Sequence, residues 1–314
     1  MTPKALKAIE KHFGQLTDPR VDRTKEHKLV DIIAIALCAV ICGAENWVDI
    51  ELYGNSKLVW LRTFLELPHG IPSHDTFGRV FRRIDAQEFQ KVFYEWVIAV
   101  NDLIQGQIVN IDGKCLRGSA DKGLGKRAIY MVSAWASENE IVLGQRKVDQ
   151  KSNEITAIPE LLKMLSISGC IVTIDAMGTQ TEIAQTIVDA QAGYALSVKE
   201  NQGHLFEDIA YLFAVDQAQN FKYASLHYAK TTDSGHGRID IRECWSTSNP
   251  EYLKIIRNAG NWAGLKSIAM IISTRIVGEE QTKSVRYYIT TLSSDAKRIL
   301  HVIRRHWAIE NELH

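Results

Sequence analysis

Apolar residues in the first hundred positions recur at helical spacing. Residues 1–13 (MTPKALKAIEKHF) read as a short amphipathic helix without a signal-peptide core, and Ile32–Ala44 is an apolar run of thirteen residues with Asp31 abutting it. That run falls short of the ~18–20 residues needed to cross a bilayer, so it reads as a buried core helix. Trp47, Ile50 and Tyr53 resume the period, Leu58–Leu67 adds an amphipathic segment that Pro68 stops, and residues 88–100 continue through Phe89, Phe93, Trp96 and Val97. Between them Ser73 caps a helix with Phe77, Val80, Phe81 and Ile84 on one face and Arg79, Arg82 and Arg83 on the other. Such a basic face is more often simply solvated, with a DNA-docking helix as the alternative. Residues 1–104 are expected to form a helical N-terminal domain.

The period then changes. Ile108, Val109 and Ile111 are β-branched and read as a buried strand that Asp112 closes, with Gly113 allowing a bend and Lys114 and Arg117 placing cations beside the acid. A second copy follows: Cys170, Ile171, Val172 and Ile174 lead to Asp175, and Thr179 opens a helical segment through Ile183, Ile187 and Val188. Alone, each aspartate is a turn former or helix cap. Together they put two carboxylates at the C-terminal ends of two strands, the edge where open α/β sheets bind ligands. Adjacent carboxylates repel unless a cation lies between them, and hard oxygen donors suit Mg²⁺ or Mn²⁺.

Residues 129–137 and 140–149 alternate as a hairpin, 153–165 reads as a helix, and 194–199 as a strand. Three strands, helix, strand, helix, strand is the ribonuclease-H-like plan, a mixed α/β sheet in which the two aspartate strands are neighbours. Residues 204–213 are helical. Residues 223–248, 267–277 and 285–293 then give a β-rich insertion at about 215–292. Lys199, Lys230, His236, Arg238 and Arg242, with Tyr228 and Trp245, form either a basic groove or the wet face of a sheet. The last segment, 296–313, has apolar spacing at Ile299, Val302, Ile303, Ile309 and Leu313 and a basic face at Lys297, Arg298, Arg304 and Arg305. Glu310, seven residues after Ile303, is a third carboxylate for the pair or an ordinary surface glutamate bonded within its helix.

Composition narrows the partners. The chain has 314 residues, 46% of them hydrophobic, and a formal net charge of zero, so any DNA contact comes from local patches and not from a basic coat. Five cysteines without a CxxC pair fit reduced thiols in a cytoplasmic protein, with no disulfide and no zinc. No stretch is expected to enter a membrane.

IPSHDTFGRVF, NIDGKCLRGS, VTIDAMGTQTEIA, SVKENQ, GHGRID and RRHWAIENELH, in that order, resemble the DDE transposases of bacterial insertion sequences, specifically the H-repeat-associated, Rhs-linked proteins. The resemblance covers essentially the whole chain. It implies a ribonuclease-H-like catalytic domain over residues 105–314, with Asp112, Asp175 and Glu310 as the catalytic, metal-holding acids and two Mg²⁺ (or Mn²⁺) ions about 4 Å apart serving strand cleavage and strand transfer. It further implies double-stranded DNA at element ends as the partner, a homodimer during synapsis, and Lys114, Arg117, Lys199, His236, Arg238 and Arg305 on DNA phosphates. Related transposases carry Tyr, Arg, Glu and Lys on the last helix. Here Ile303 and His306 fill the Tyr and Arg positions, and the Lys would fall beyond His314. Family members continue past this point, so the resemblance implies a chain truncated inside the helix that carries Glu310, with its activity in question.

Three other functions fit parts of the pattern. A haloacid-dehalogenase-type phosphatase also starts from a strand and an Asp but needs a second Asp two residues on, where Lys114 stands. A DNA-binding protein without catalysis uses the helices and basic residues alone. A ribonuclease-H-like nuclease or resolvase uses the same acids on branched or hybrid substrates.

Overall fold

The computed structural model describes residues 3–100, 106–115, 130–137, 141–148, 154–219, 221, 225–235 and 237–306. The chain divides into two compact units, Met1–Asp102 and Leu103–His314.

The first unit is built from α1 (Pro3–Phe13), α2 (Leu29–Ile41), α3 (Trp47–Ser56), α4 (Leu58–Leu61), α5 (His74–Arg83) and α6 (Ala86–Val100). The apolar run is α2, whose Ile32, Ile33, Ala34 and Ile35 are fully buried, so a helix hydrophobic on all sides is a core helix. Phe13 of α1 is buried with its ring centroid 5.8 Å from those of both Phe89 and Trp96 of α6. In α5 the Ser73 hydroxyl accepts from the Thr76 amide at 3.4 Å, Phe77 and Val80 are buried, and Arg79, Arg82 and Arg83 are exposed. Capping and amphipathicity thus produce the helix read from the sequence.

Asp31 is a charged residue buried in this core. Its Oδ2 accepts from the Leu67 amide at 3.1 Å, where Leu67 has φ of 43°, so the buried acid holds a strained turn.

The second unit has one nine-stranded sheet. Its strands are β1 (Ile108–Cys115), β2 (Tyr130–Ala136), β3 (Ile141–Val148), β4 (Ile171–Ile174), β5 (Gly193–Val198), β6 (His227–Gly235), β7 (Arg238–Thr247), β8 (Ser267–Val277) and β9 (Glu280–Thr290), in the order β3-β2-β1-β4-β5-β9-β8-β7-β6. β1, β4 and β5 are parallel neighbours, and β9 joins β5 antiparallel with Ser197 beside Tyr288. The four strands from the segment read as an insertion therefore extend the same sheet. α7 (Glu154–Met164), α8 (Thr181–Asp189) and α9 (His204–Ala218) pack as neighbours of β2, β3, β5 and β9, and a short helix α10 (Pro250–Ile255) follows β7. α11 (Ala296–His306) crosses the opposite face, burying Ile299, Leu300, Val302 and Ile303 against Ile108, Ile171, Cys244, Ala269, Ile271 and Tyr288.

β1 does not end at Asp112 as the sequence suggests, because it continues to Cys115, which pairs with Tyr130 of β2. Gly113 does not bend the chain there. It lies inside the ladder, and the Glu154 carboxyl fills the space of its missing Cβ, which would stand 2.4 Å from the Glu154 carboxyl carbon.

Burial pushes the Asp31 carboxyl above its ordinary range, against the pull of the Leu67 amide. A raised pKa in the folded state means that its stabilising contribution is complete below the unfolded value and is lost as pH rises through the folded one. Asp31→Asn keeps an acceptor and removes the buried charge, so its unfolding free energy at neutral pH is expected to equal or exceed that of the parent, with a flatter profile between acid and neutral pH. Asp31→Ala leaves the Leu67 amide without this acceptor and is expected to cost about 1–3 kcal/mol. Urea unfolding of both variants at the two pH values checks this.

Candidate active site

The parallel ladder of β1 and β4 pairs Ile108 with Ile171, Asn110 with Thr173 and Ile111 with Ile174. The next residue on β1 is Asp112 and the first residue after β4 is Asp175, so the register brings them to neighbouring positions across strands about 4.8 Å apart. Side chains alternate along a strand, so Ile108, Asn110 and Asp112 share one face, as do Ile171, Thr173 and Asp175. That is the face α11 covers, since Ile108 and Ile171 belong to the apolar cluster around Ile299 and Ile303. Each strand thus runs from an apolar contact with α11, through one polar residue, to a carboxylate.

Asp112 lies within the β1–β2 ladder opposite Ser133, whose hydroxyl accepts from Gln145 Nε2 at 3.1 Å. Asp175 begins the loop after β4. Its Oδ1 accepts from the amides of Met177 and Gly178 at 3.1 and 3.2 Å, an Asx turn that fixes the carboxylate. The SVKENQ block braces this loop. Thr179 donates its hydroxyl to the Ser197 carbonyl at 2.6 Å, Asn201 Nδ2 and Gln202 Nε2 donate to the Ala176 carbonyl at 2.9 and 2.8 Å, and the Lys199 amide donates to Gln202 Oε1 at 3.0 Å.

The polar residues two positions before each aspartate clamp the end of α11. Asn110 is fully buried; its Nδ2 donates to Ser137 Oγ and to the Arg305 carbonyl, both at 2.7 Å, and its Oδ1 accepts from Thr173 Oγ1 at 2.7 Å. With that proton given to Asn110, the Thr173 oxygen is the acceptor for an Nδ1–H of His306, 2.9 Å away. The Arg305 guanidinium donates to the Ser137 carbonyl. Burial pushes the His306 imidazole down to about 4, with Asp175 pulling it up and Arg286 pushing it down, so the ring is neutral at neutral pH. Sequence reasoning misses this clamp. The signal that could have found it is a polar residue at the same place in both copies, VNID and VTID.

Of the expected site residues, Asp112 and Asp175 come together. Lys114 shares their face by alternation, Lys199 follows β5 at the same edge, Arg238 pairs with Asp240 at 3.3 Å, and Arg305 is bound to Ser137. Arg117, His236 and Glu310 lie outside the described residues. Among the described residues no group of three or more His, Cys, Asp or Glu side chains could hold a metal ion. The two aspartates supply hard oxygen donors on one face, which fits a divalent cation of the Mg²⁺ kind in donor chemistry. No helix among the described residues is long and apolar enough to cross a membrane.

The unit is thus a mixed α/β sheet with two carboxylates on adjacent parallel strands, Asp112 inside β1 and Asp175 just after β4. A family model described as "Transposase DDE domain" matches residues 104–314, and one described as "DDE_Tnp_1-associated" matches residues 10–97. The chain belongs to the DDE-domain transposase family, among its H repeat-associated members. "Putative transposase YncI" of Escherichia coli O157:H7 is 41% identical over 314 residues, covering 99% of this chain and 79% of that protein. "H repeat-associated putative transposase YhhI" of Escherichia coli (strain K12) is 39% identical over 313 residues, 98% of this chain and 82% of that one. A solved piggyBac transposase synaptic complex with hairpin DNA aligns with 99% of this chain and 65% of its own at 10% identity and a TM-score of 0.42, a likeness too slight to carry an argument.

Asn110→Ala is expected to lower stability by about 1–3 kcal/mol, because it strips partners from Thr173, Ser137 and the Arg305 carbonyl at once. Hydrogen exchange locates the damage: amides in the last turn of α11 should lose protection before those near Ile299.

Proposed function

We propose that this chain is a DDE transposase that cuts and rejoins DNA at element ends, with Asp112, Asp175 and Glu310 as its metal-holding catalytic acids. The observation that supports this most is the register of β1 and β4, whose last pair, Ile111 with Ile174, directly precedes Asp112 and Asp175. In this reading Leu103–His314 is a ribonuclease-H-like catalytic unit and Met1–Asp102 a helical DNA-binding one. A phosphatase of the haloacid-dehalogenase type is disfavoured because Lys114, and not an aspartate, stands two residues after Asp112.

Mg²⁺ or Mn²⁺ held by these acids supplies Lewis-acid stabilisation of the phosphodiester oxygens and lowers the pKa of the attacking hydroxyl. The residues do the rest. The Asx turn of Asp175 and the ladder around Asp112 fix the two carboxylates before substrate arrives, so little reorganisation remains for the reaction. His306, neutral and bonded to Thr173, fixes α11 against β4 without adding charge beside Asp175. Lys114 and Lys199 flank the pair and neutralise DNA phosphates. Attack in line forms one P–O bond and breaks another, with water and then a DNA 3′-hydroxyl as nucleophile, and needs no covalent bond to the protein. The working assembly is a homodimer on two DNA ends, in the cytoplasm.

A second reading, a DNA-binding protein that no longer cuts, draws on His306 and Ile303 standing where related transposases have Arg and Tyr. Incubation of end-labelled element DNA with Mg²⁺ separates the two: nicking supports the transposase, and a mobility shift without nicking supports the silent binder.

Asp112→Asn and Asp175→Asn are each expected to abolish Mg²⁺-dependent strand cleavage while leaving the DNA mobility shift within about twofold, and Glu310→Gln likewise, since each change removes a charge and little volume. Undiminished cleavage by either aspartate variant removes the assignment.

A further inference from the structure

We propose a second functional surface on the catalytic unit, an arginine-lined cleft beside α11 that binds the sugar–phosphate backbone of DNA and leads it toward Asp112 and Asp175. This rests on the transposase reading and adds to it the place where the strand lies.

The α11 face of the outer four strands changes character along their length. Where α11 covers it, the face carries Ala229, Cys244, Ala269, Ile271 and Tyr288, all packed around Ile299, Leu300 and Ile303. Ladder pairs set Cys244 opposite Ile271, Arg242 opposite Ser273, Asp240 opposite Arg275 and Arg286 opposite Ile271, and alternation keeps all of them on this one face. Beyond the helix the apolar residues therefore give way to Arg242, Arg238, Arg275 and Arg286, joined by Arg304 from α11 itself. They line a cleft of about 550 Å³.

Two carboxylates hold four of these five guanidinium groups in place, those of Arg238, Arg242, Arg275 and Arg304. Asp240 accepts from Arg275 at 2.8 Å and lies 3.3 Å from Arg238 and 3.7 Å from Arg242, and Asp233 lies 2.8 Å from Arg242 and 3.1 Å from Arg304. Five arginines against two aspartates leave an excess of positive charge on a concave surface. A solvated sheet face gains little from such pairs, whereas pre-set guanidinium forks match phosphate oxygens. Arg238 and Arg242 are four residues apart on β7, about 13 Å along the strand. That spread suits a run of phosphates better than a single one.

Position connects the cleft to the acids. Asp175 follows Ile174, whose partner is Leu196, so it lies beside Ser197, which pairs with Tyr288 of β9. Arg286 is two residues beyond Tyr288, two strands or about 10 Å across from Asp175.

The test is salt-dependent binding of a fluorescein-labelled mixed-sequence duplex in chelator, read by anisotropy with the full chain. Arg238→Gln/Arg275→Gln is expected to weaken binding about tenfold and to lower the slope of log K against log salt by about 2, since each phosphate no longer neutralised takes ~0.9 from that slope. Lys163→Ala/Lys254→Ala, which removes two exposed cations elsewhere, should change neither. Thr282→Glu, which adds an anion beside Arg275 and removes no brace, should act in the same direction as the arginine pair and serves if that pair melts early. Parent-like slope and affinity in both cleft variants overturn the proposal. So does pyrophosphate binding that disappears in the variants while the DNA slope stays unchanged, since that marks a small-anion site. Absence of DNA binding by the parent overturns this cleft and the transposase reading together, whereas cleavage by Asp112→Asn overturns the catalytic assignment and leaves the cleft standing.

Discussion

Asn110 is the residue on which the arrangement of this unit turns. Its amide joins β1 to β4 through Thr173, to the end of β2 through Ser137, and to the last turn of α11 through the Arg305 carbonyl. In a buried setting such bonds reinforce one another, and loss of any partner exposes the full cost of an unsatisfied polar group. The Arg305 carbonyl of α11 is answered by Asn110 of the strand that carries Asp112 and by Ser137 just after β2, while Thr173, on the strand that leads to Asp175, bonds the His306 ring.

The sheet face explains why one helix can serve both stability and chemistry. α11 needs an apolar bed, and a divalent cation needs charged oxygens open to substrate. The strands meet both demands by changing along their length, from Ile108 and Ile171 under the helix to Asp112 and Asp175 past it. The same rule operates two and three strands from β4, where Tyr288 of β9 and Ile271 of β8 give way to Arg286 and Arg275. A single register error would flip the set to the back face, so the ladder pairing is also what keeps the acids together.

Much of this is legible in the sequence because it is local. Two β-branched runs each leading to Ile-Asp, a Ser73 cap and the apolar run at 32–44, most of which lies in α2, are short-range signals, and these elements form close to where the periods put them. The repeated aspartate suggests the pair, and the parallel ladder brings Asp112 and Asp175 to one edge. What is not legible depends on distant partners. Gly113 reads as a bend because glycine usually is one, yet the reason for it is the Glu154 carboxyl against its α-carbon, forty-one residues on. Alternation marks the strands of 227–290 but cannot say that β9 pairs with β5 and makes them part of the same sheet. Glu310, His236 and Arg117 fall outside the described residues, so their part is carried by the sequence alone.

The joint between β5 and β9 has a mechanical consequence. Ala195 to Val198 bond in register to Thr290 back to Tyr287, so the hydrogen-bond ladder runs unbroken from the strands of the aspartates to the outermost hairpin. A separate lobe on a linker swings freely, while a sheet resists shear between its strands and passes on twist. Load placed on the outer hairpin would therefore reach the acids as a change in sheet twist, without any hinge between them.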